Sequence, residues 1–378
     1  MTGEQAISKP NIVLITTDSQ RWDTLSCMGS PFARSPNLDR LAREGVLFMN
    51  AHTASPVCSP ARCSLLTGVH APVHGCVENG IGRQAHLPVF PDLLKEQGYI
   101  NIIAGKAHFG PLPASFDVAH TVTEKHLNAN DAYTRHIRLH GFSRVSSHPN
   151  PVPEHLFMDS FIVDTTIQEI ERAATSGNQP FFAFCSLVSP HSPIDPPGRW
   201  ASLYTDVELP EINAVPGESD SFPKHMKMLL GLSGETGDTT EPEAMDEERR
   251  LYYGLAAYCD DQIGRLIRFL NQSGLRENTL IIFSSDHGQQ LFDHEFNDKH
   301  NYYDSTWRVP FIMSMPGTLP CGETRGFAVW TDITASILAA AGTSCSSMQG
   351  FDLFTPLSKG EQSPRRCAAA ALYKSVAL

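Results

Sequence analysis

The stretch NIVLITTD, residues 11–18, is a short apolar and β-branched run that ends at a carboxylate. It does not alternate between apolar and polar residues, so it predicts a strand buried on both faces, as in a parallel sheet. Similar runs lie at residues 100–105, 180–188, 279–285 and 309–315, and helical patterns lie between them at residues 36–45, 59–66, 91–98, 161–174, 248–270 and 332–341. This alternation predicts an α/β fold, a doubly wound and predominantly parallel sheet with helices on both faces.

Composition narrows the class of protein. The chain has 378 residues, of which 41% are hydrophobic, and a formal net charge of -12. That acidity argues against a general nucleic-acid binder, and no apolar run has transmembrane length, so we expect neither nucleic acid nor a membrane as a partner. The N-terminus shows no signal-peptide pattern, and the nine cysteines lack paired spacing. Both features favour a cytoplasmic, reducing location.

Polar residues follow the ends of several predicted strands. Asp18, Lys106, His191 and Asp286 each come directly after such a run. In open α/β sheets, ligands bind beyond the carboxyl ends of the strands, so four separate segments could meet at one site. Asp18 with Asp286 and His287 would supply two carboxylates and an imidazole for a divalent cation. Taken alone, however, an aspartate at a strand end is usually a cap or a turn former.

The segment PVCSPARCSLLTG, residues 56–68, places Cys58 two residues before a proline and four before Arg62. Cys58 could be an inert buried cysteine, or a reactive thiolate beside a helix N-terminus. With nine cysteines and ordinary proline and arginine frequencies, roughly 0.02 chance occurrences of the spacing Cys-x-Pro-x-Arg are expected. The motif is therefore not a chance occurrence.

The motif resembles the signature of the formylglycine-dependent type I sulfatases, in the alkaline phosphatase superfamily. Other segments resemble that family in the same order: residues 11–18, 105–108 (GKAH), 190–193 (PHSP), 285–288 (SDHG), Lys299 before 302–304 (YYD), and 307–312 (WRVPFI). The similarity covers residues 9–345, predicted here as the catalytic domain, with residues 200–246 as a long surface excursion. Residues 346–378 are too few for the small antiparallel C-terminal subdomain that the family usually carries, so we expect that subdomain to be largely absent.

The resemblance implies a role for each matching residue. Cys58 would be oxidised to formylglycine by a formylglycine-generating or anaerobic sulfatase-maturating enzyme, and its hydrate would attack sulfur through a covalent sulfated intermediate. One divalent cation would be held by Asp18, Asp286, His287 and residue 58. Arg62 would fix the modified residue, and Lys106 and Lys299 would bind sulfate oxygens. His108 would be the base, and His191 the acid, alone or with Lys299.

Two departures from the family pattern bear on these expectations. Many relatives carry a second acidic residue directly after the first metal aspartate, and this chain has Ser19 there. The prediction therefore favours Ca²⁺ but keeps Mg²⁺ and Mn²⁺ open. The expected loss of burial at the C-terminal end would expose apolar surface and make a homo-oligomer a further expectation.

The predicted function is hydrolysis of a small sulfate ester. The first alternative is a phosphodiester or phosphonate monoester hydrolase with the same nucleophile, because both substrates present a tetrahedral anion. The second is an inactive binding protein, and a metal phosphatase with a serine or threonine nucleophile ranks below both. Substrate choice is assigned to residues 120–153 and 200–246. In the first of these loops Arg135, His136, Arg138 and His140 could attract an anionic sugar, although a solvated face is the favoured interpretation.

Overall fold

The computed structural model describes residues 9–124, 130–177, 179–233, 241–372 and 375–377. The strands are β1 Asn11–Asp18, β2 Val46–His52, β3 Ile100–Lys106, β4 Val118–Val122, β5 Phe181–Pro190, β6 Thr279–Ser285, β7 Phe311–Ser314, β8 Gly322–Val329, β9 Ala370–Leu372 and β10 Ser375–Ala377. The α-helices are α1 Pro36–Arg43, α2 Cys58–Thr67, α3 Ala71–His74, α4 Phe90–Glu96, α5 Ala132–Leu139, α6 Met158–Thr175, α7 Lys224–Ser233, α8 Pro242–Gln272, α9 Asp304–Trp307, α10 Trp330–Ala340 and α11 Phe354–Ser358.

Eight strands form one sheet in the order β4-β3-β5-β1-β6-β7-β2-β8. Within that sheet β7 runs antiparallel to both of its neighbours, and the other pairings are parallel. The predicted doubly wound, predominantly parallel sheet is therefore confirmed. β1 lies between β5 and β6, which brings the ends of three predicted strands side by side.

Alternate residues of the central strands build a core on each face of the sheet. Val13 and Ile15 of β1 join the apolar cluster that contains Ile162 of α6 and Ile263 of α8. On the other face, Ile12 and Leu14 join a cluster containing side chains of α2, α4 and α10. Burial on both faces explains why this strand shows no polar alternation.

Several elements differ from the predicted boundaries. The edge strands β4 (VAHTV) and β8 (GETRGFAV) are half exposed and carry polar residues, so they lack the continuous apolar signal of the central strands. Helix α8 begins at Pro242, a favourable first helical residue, and not at residue 248. The predicted excursion at residues 200–246 thus includes α7 and the first turn of α8, while residues 234–240 lie outside the described part.

The residues after 345 pack onto the main body. The guanidinium of Arg365 donates to both carboxylate oxygens of Asp332 on α10 at 2.6 Å, and both side chains are buried. The backbone N–H of Ala371 in β9 donates to the carbonyl of Ala54 at 2.9 Å, and β9 pairs antiparallel with β10. Among the helices of the described ranges, none combines the length and the apolarity needed to cross a bilayer.

Gly105→Ala should disrupt the sheet directly beside Lys106. Gly105 has φ +109°, and a Cβ there would lie 1.9 Å from the carbonyl oxygen of Ser186 on β5. Gly29 has a similar φ of +98° with open space around it, so Gly29→Ala measures the backbone cost alone, about 1–2 kcal/mol. Gly105→Ala should lose a further ~1–3 kcal/mol of unfolding free energy in urea, because β5 must move. Equal losses in the two variants would contradict this packing.

Candidate functional site

The candidate site lies at the carboxyl edge of the sheet. Asp18 ends β1, Lys106 ends β3, and Asp286 directly follows β6. His191 follows β5, and Cys58 is the first residue of α2. Because neighbouring parallel strands end at the same edge, residues far apart in the sequence converge there.

A set of four buried side chains could hold a divalent cation. The ligand atoms of Asp18, Cys58, Asp286 and His287 all lie within 4.8 Å of one another, and each residue has 0% exposure. His287 donates its Nδ1–H to the carbonyl of Gly288 at 2.8 Å, which leaves Nε2, 3.1 Å from Cys58 Sγ, as the ligand atom. A histidine ligand is usually fixed in this way by its second ring nitrogen. The donor set therefore fits a divalent metal.

The pKa values of the two carboxylates in this set are shifted in opposite directions. Burial, and then the neighbouring Asp18, raise the pKa of Asp286. Burial and Cys58 oppose ionisation of Asp18 as well, but Lys106, His191 and Arg62 hold its pKa well below the usual range. A bound cation would relieve the repulsion between the two carboxylates and favour the ionised form of both.

Arg62 lies at the centre of the site and is fully buried. Its Nε donates to Asp286 Oδ2 at 2.8 Å, and one terminal nitrogen donates to Asp18 Oδ2 at 3.1 Å. The other donates to the carbonyl of Lys106 and to Ser186 Oγ, both at 2.8 Å. These contacts link the N-terminal part of α2 to three strands, so Arg62 fixes the position of Cys58 one helical turn before it.

Two buried lysines lie next to Cys58. Lys106 Nζ is 2.6 Å from Asp18 Oδ2 and 2.9 Å from Glu124 Oε1, and Lys299 Nζ is 3.4 Å from Cys58 Sγ. Burial alone would raise the pKa of the Cys58 thiol, but Lys106, Lys299 and His287 hold it well below its usual value. The position of residue 58 is therefore strongly favourable for a negatively charged group.

The two histidines predicted as acid and base contact carboxylates that both pair with Lys106. His191 Nε2 is 3.9 Å from Asp18 Oδ1, and its Nδ1–H donates to the carbonyl of Ser192 at 2.6 Å. His108 has a left-handed backbone, φ +51°, and its Nδ1 lies 3.5 Å from Glu124 Oε1. All of the predicted site residues thus converge on residue 58.

A cleft of about 640 Å³ opens onto His191 and Lys299. Its walls include His148, Ile194 and, from α8, Glu247, Glu248 and Leu251. The first-loop set Arg135, His136, Arg138 and His140 is not among the described residues that line this cleft. His136 and His140 instead contact each other, with ring centroids 4.8 Å apart.

Sequence reasoning missed two residues of the site, Ser186 and Glu124, and assigned no role to a third, Ser19. Ser186 lies inside the predicted strand β5 and gave no separate signal, although its hydroxyl accepts from Arg62. Glu124 follows β4, and a correct prediction of that edge strand would have placed it at the same sheet edge. Ser19, in place of the family's second acid, has φ +63° and donates to Asp18 Oδ1 at 3.1 Å.

The chain is similar to known proteins both in sequence and in fold. The family model described as "Sulfatase" matches residues 10–343. The chain is 31% identical to an arylsulfatase of Clostridium perfringens over 83% of its length and 70% of that protein. It is 30% identical to iduronate 2-sulfatase of Mus musculus, over 83% of its own length and only 61% of the mouse enzyme. The crystal structure of a phosphonate monoester hydrolase of Agrobacterium radiobacter, 23% identical, superposes with a TM-score of 0.85 over 96% of this chain and 79% of that chain, a likeness of fold.

Metal binding should raise the stability of the protein. In a chelator-treated sample, adding Ca²⁺, Mg²⁺ or Mn²⁺ at ~100 times its Kd should raise the apparent unfolding free energy by about 2.7 kcal/mol. Asp286→Asn should remove most of this increase, because it deletes one ligand charge. Asp117→Asn, which changes a surface carboxylate paired with Lys95, should keep it. Thermal melts with each ion measure the effect, and an undiminished increase in Asp286→Asn would contradict the assigned ligand set.

Proposed function

Because the chain belongs to the sulfatase family, we propose that it hydrolyses sulfate esters with residue 58 converted to formylglycine. The position of Cys58 carries this proposal. Its Sγ, which marks where the oxygens of a formylglycine hydrate would lie, is 3.1 Å from His287 Nε2 and 3.4 Å from Lys299 Nζ. One atom therefore contacts both the candidate metal ligands and a cation suited to a sulfate group.

A divalent metal bound by Asp18, Asp286 and His287 would acidify a hydroxyl of the formylglycine hydrate and so supply the nucleophile. The protein's own side chains bind the substrate and position the reacting groups. Lys106 and Lys299 bind the sulfate oxygens, where negative charge grows in the transition state. Arg62 donates to both candidate metal carboxylates, which offsets their mutual repulsion and fixes the start of α2 relative to them.

Two histidines handle protons in the proposed reaction. His191 lies at the mouth of the cleft, and its Nδ1–H is committed to the carbonyl of Ser192, so Nε2 is the nitrogen that faces the site and protonates the leaving alcohol. His108, next to Glu124 and residue 58, removes the proton that releases sulfate.

The proposal also names the partners. The substrate is a small sulfate ester, and a formylglycine-generating or anaerobic sulfatase-maturating enzyme acts on Cys58. Ca²⁺ is the first candidate for the metal, and Mg²⁺ and Mn²⁺ stay open because Ser19 leaves the metal site one carboxylate short of the family pattern. The cytoplasmic location and the self-association remain predictions.

A second candidate is hydrolysis of phosphodiesters or phosphonate monoesters. It is favoured by the anion-binding groups, because Lys106 and Lys299 would hold any tetrahedral oxyanion. The phosphonate monoester hydrolase of Agrobacterium radiobacter shares the fold over 96% of this chain. The binding protein without activity is the third reading, and it requires an unmodified Cys58.

Mass spectrometry should find residue 58 modified. In protein purified from its own host, the tryptic peptide of residues 44–62 should be lighter than the thiol form by the exchange of CH₂SH for an aldehyde. The eight other cysteines serve as internal controls and should stay thiols. If Cys58 is unmodified throughout that preparation, the hydrolase proposal is wrong for the protein in that preparation.

Sulfate esters should be the better substrates. Modified protein should give a higher kcat/KM for 4-nitrophenyl sulfate than for bis-4-nitrophenyl phosphate or a phenyl phosphonate monoester. Cys58→Ala should lose about 10³-fold or more in turnover, because the nucleophile is gone. Cys345→Ala, which changes a partly exposed thiol, should keep full activity. A reversed preference would establish the second candidate instead.

A further inference from the structure

Glu124 contacts two catalytic candidates but belongs to none of the motifs that identify the site. Its Oε1 is 2.9 Å from Lys106 Nζ and 3.5 Å from His108 Nδ1. The ligand atoms of Cys58, His108 and Glu124 also lie within 4.8 Å of one another. Its carboxylate therefore lies between the end of β3 and the reacting residue.

Lys106 and His108 both depend on a partner on this side. Lys106 Nζ already pairs with Asp18 Oδ2 at 2.6 Å, so Glu124 is the second carboxylate that fixes its ammonium group, and without Glu124 that group would pair with Asp18 alone. The Nδ1 of His108 is buried and has no hydrogen bond within the described residues. Glu124 Oε1, 3.5 Å from this nitrogen, is the carboxylate oxygen beside it.

The backbone at Glu124 is itself held in place. Arg144 donates to the carbonyl of Glu124 at 2.7 Å and also pairs with Asp131. Asp131 caps α5 and accepts from the backbone N–H of Thr123 at 2.7 Å. This second layer ties the residue to α5, as expected where a charged group must keep one orientation.

We propose that Glu124 is a positioning residue that holds Lys106 and His108 on the sulfate-binding side of the site. The assignment rests on the proposed function for the identity of the anion. It does not make Glu124 a ligand of the metal or a proton donor. Its effect passes through the two side chains that it contacts.

The charge of Glu124 has a second effect on sulfate affinity, opposite in sign to positioning, and this makes the inference testable. A carboxylate this close to a bound oxyanion repels it, so removing the charge would by itself tighten sulfate binding. If positioning dominates, removing the charge weakens sulfate binding, because Lys106 then pairs only with Asp18 and loses the contact that orients it on the Glu124 side. The direction of the change in sulfate affinity therefore separates the two effects.

The experiment compares Glu124→Gln and Glu124→Asp with Glu169→Gln. Glu169 is a matched control: it is buried on α6 and pairs with His120 at 3.0 Å and Arg172 at 2.6 Å, away from the site residues. For each metal-loaded protein, thermal melting and the formylglycine content are recorded first. Inorganic sulfate binding is then measured by calorimetry, and kcat and KM with 4-nitrophenyl sulfate.

Glu124→Gln should weaken sulfate binding roughly fivefold, the size of one lost hydrogen bond. It should lower kcat by about 10- to 100-fold, as for other residues that orient catalytic groups. Glu124→Asp, which keeps the charge, should recover part of both, and Glu169→Gln should change neither. Tighter or unchanged sulfate binding in Glu124→Gln, at equal melting temperature, overturns the inference. If the modified wild-type protein hydrolyses no sulfate ester, the proposed function fails, while the sulfate titration still decides the role of Glu124.

Discussion

The rest of the site depends on the ion pairs that the buried guanidinium of Arg62 makes with Asp18 and Asp286. Asp18 and Asp286 end neighbouring strands, are fully buried, and would repel each other without a cation between them. Arg62 pairs with both and also donates to the carbonyl of Lys106 at the end of β3 and to Ser186 Oγ within β5. A buried ion pair is costly unless its hydrogen bonds are satisfied, and here four donated bonds meet that condition. The helix that carries Cys58 is thereby fixed to the sheet.

Charge balance then explains the order of groups around residue 58. The candidate metal ligands Asp18, Asp286 and His287 and the two lysines Lys106 and Lys299 all lie close to residue 58, and Lys106 Nζ is itself 2.6 Å from Asp18 Oδ2. Residue 58 therefore contacts a candidate metal ligand, His287, and a buried lysine cation, Lys299, at the same time. That arrangement suits attack on a tetrahedral anion, and sulfate and phosphoryl groups both satisfy it. Discrimination between substrates therefore falls to the cleft, whose α8 wall presents Glu247 and Glu248 beside Leu251.

Two of the strands that sequence reasoning missed share a physical cause, whereas β2, also missed, lies inside the sheet between β7 and β8. Strands β4 and β8 lie at the edges of the sheet and keep polar side chains in solvent, so they do not show the continuous apolar run that identified β1, β3, β5 and β6. Glu124 was missed with β4, since only its position after that strand places it near Lys106. The start of α8 was placed late because its first turns, rich in acidic residues, resemble the preceding loop.

The sequence by itself determined the alternation of strands and helices, the family, and the residues that meet at the site, because these are written in short motifs and in buried apolar runs. Only the tertiary structure decided how those motifs act on one another: that Arg62 spans the two metal carboxylates, that His287 presents Nε2, and that Glu124 reaches Lys106 and His108. These facts depend on strand order and on side-chain direction: Arg62 and Asp286 are 224 residues apart in the sequence, and Lys106 and Glu124 are 18 apart. No local pattern records contacts of that kind, because they arise only when β3, β4, β5, β1 and β6 lie side by side.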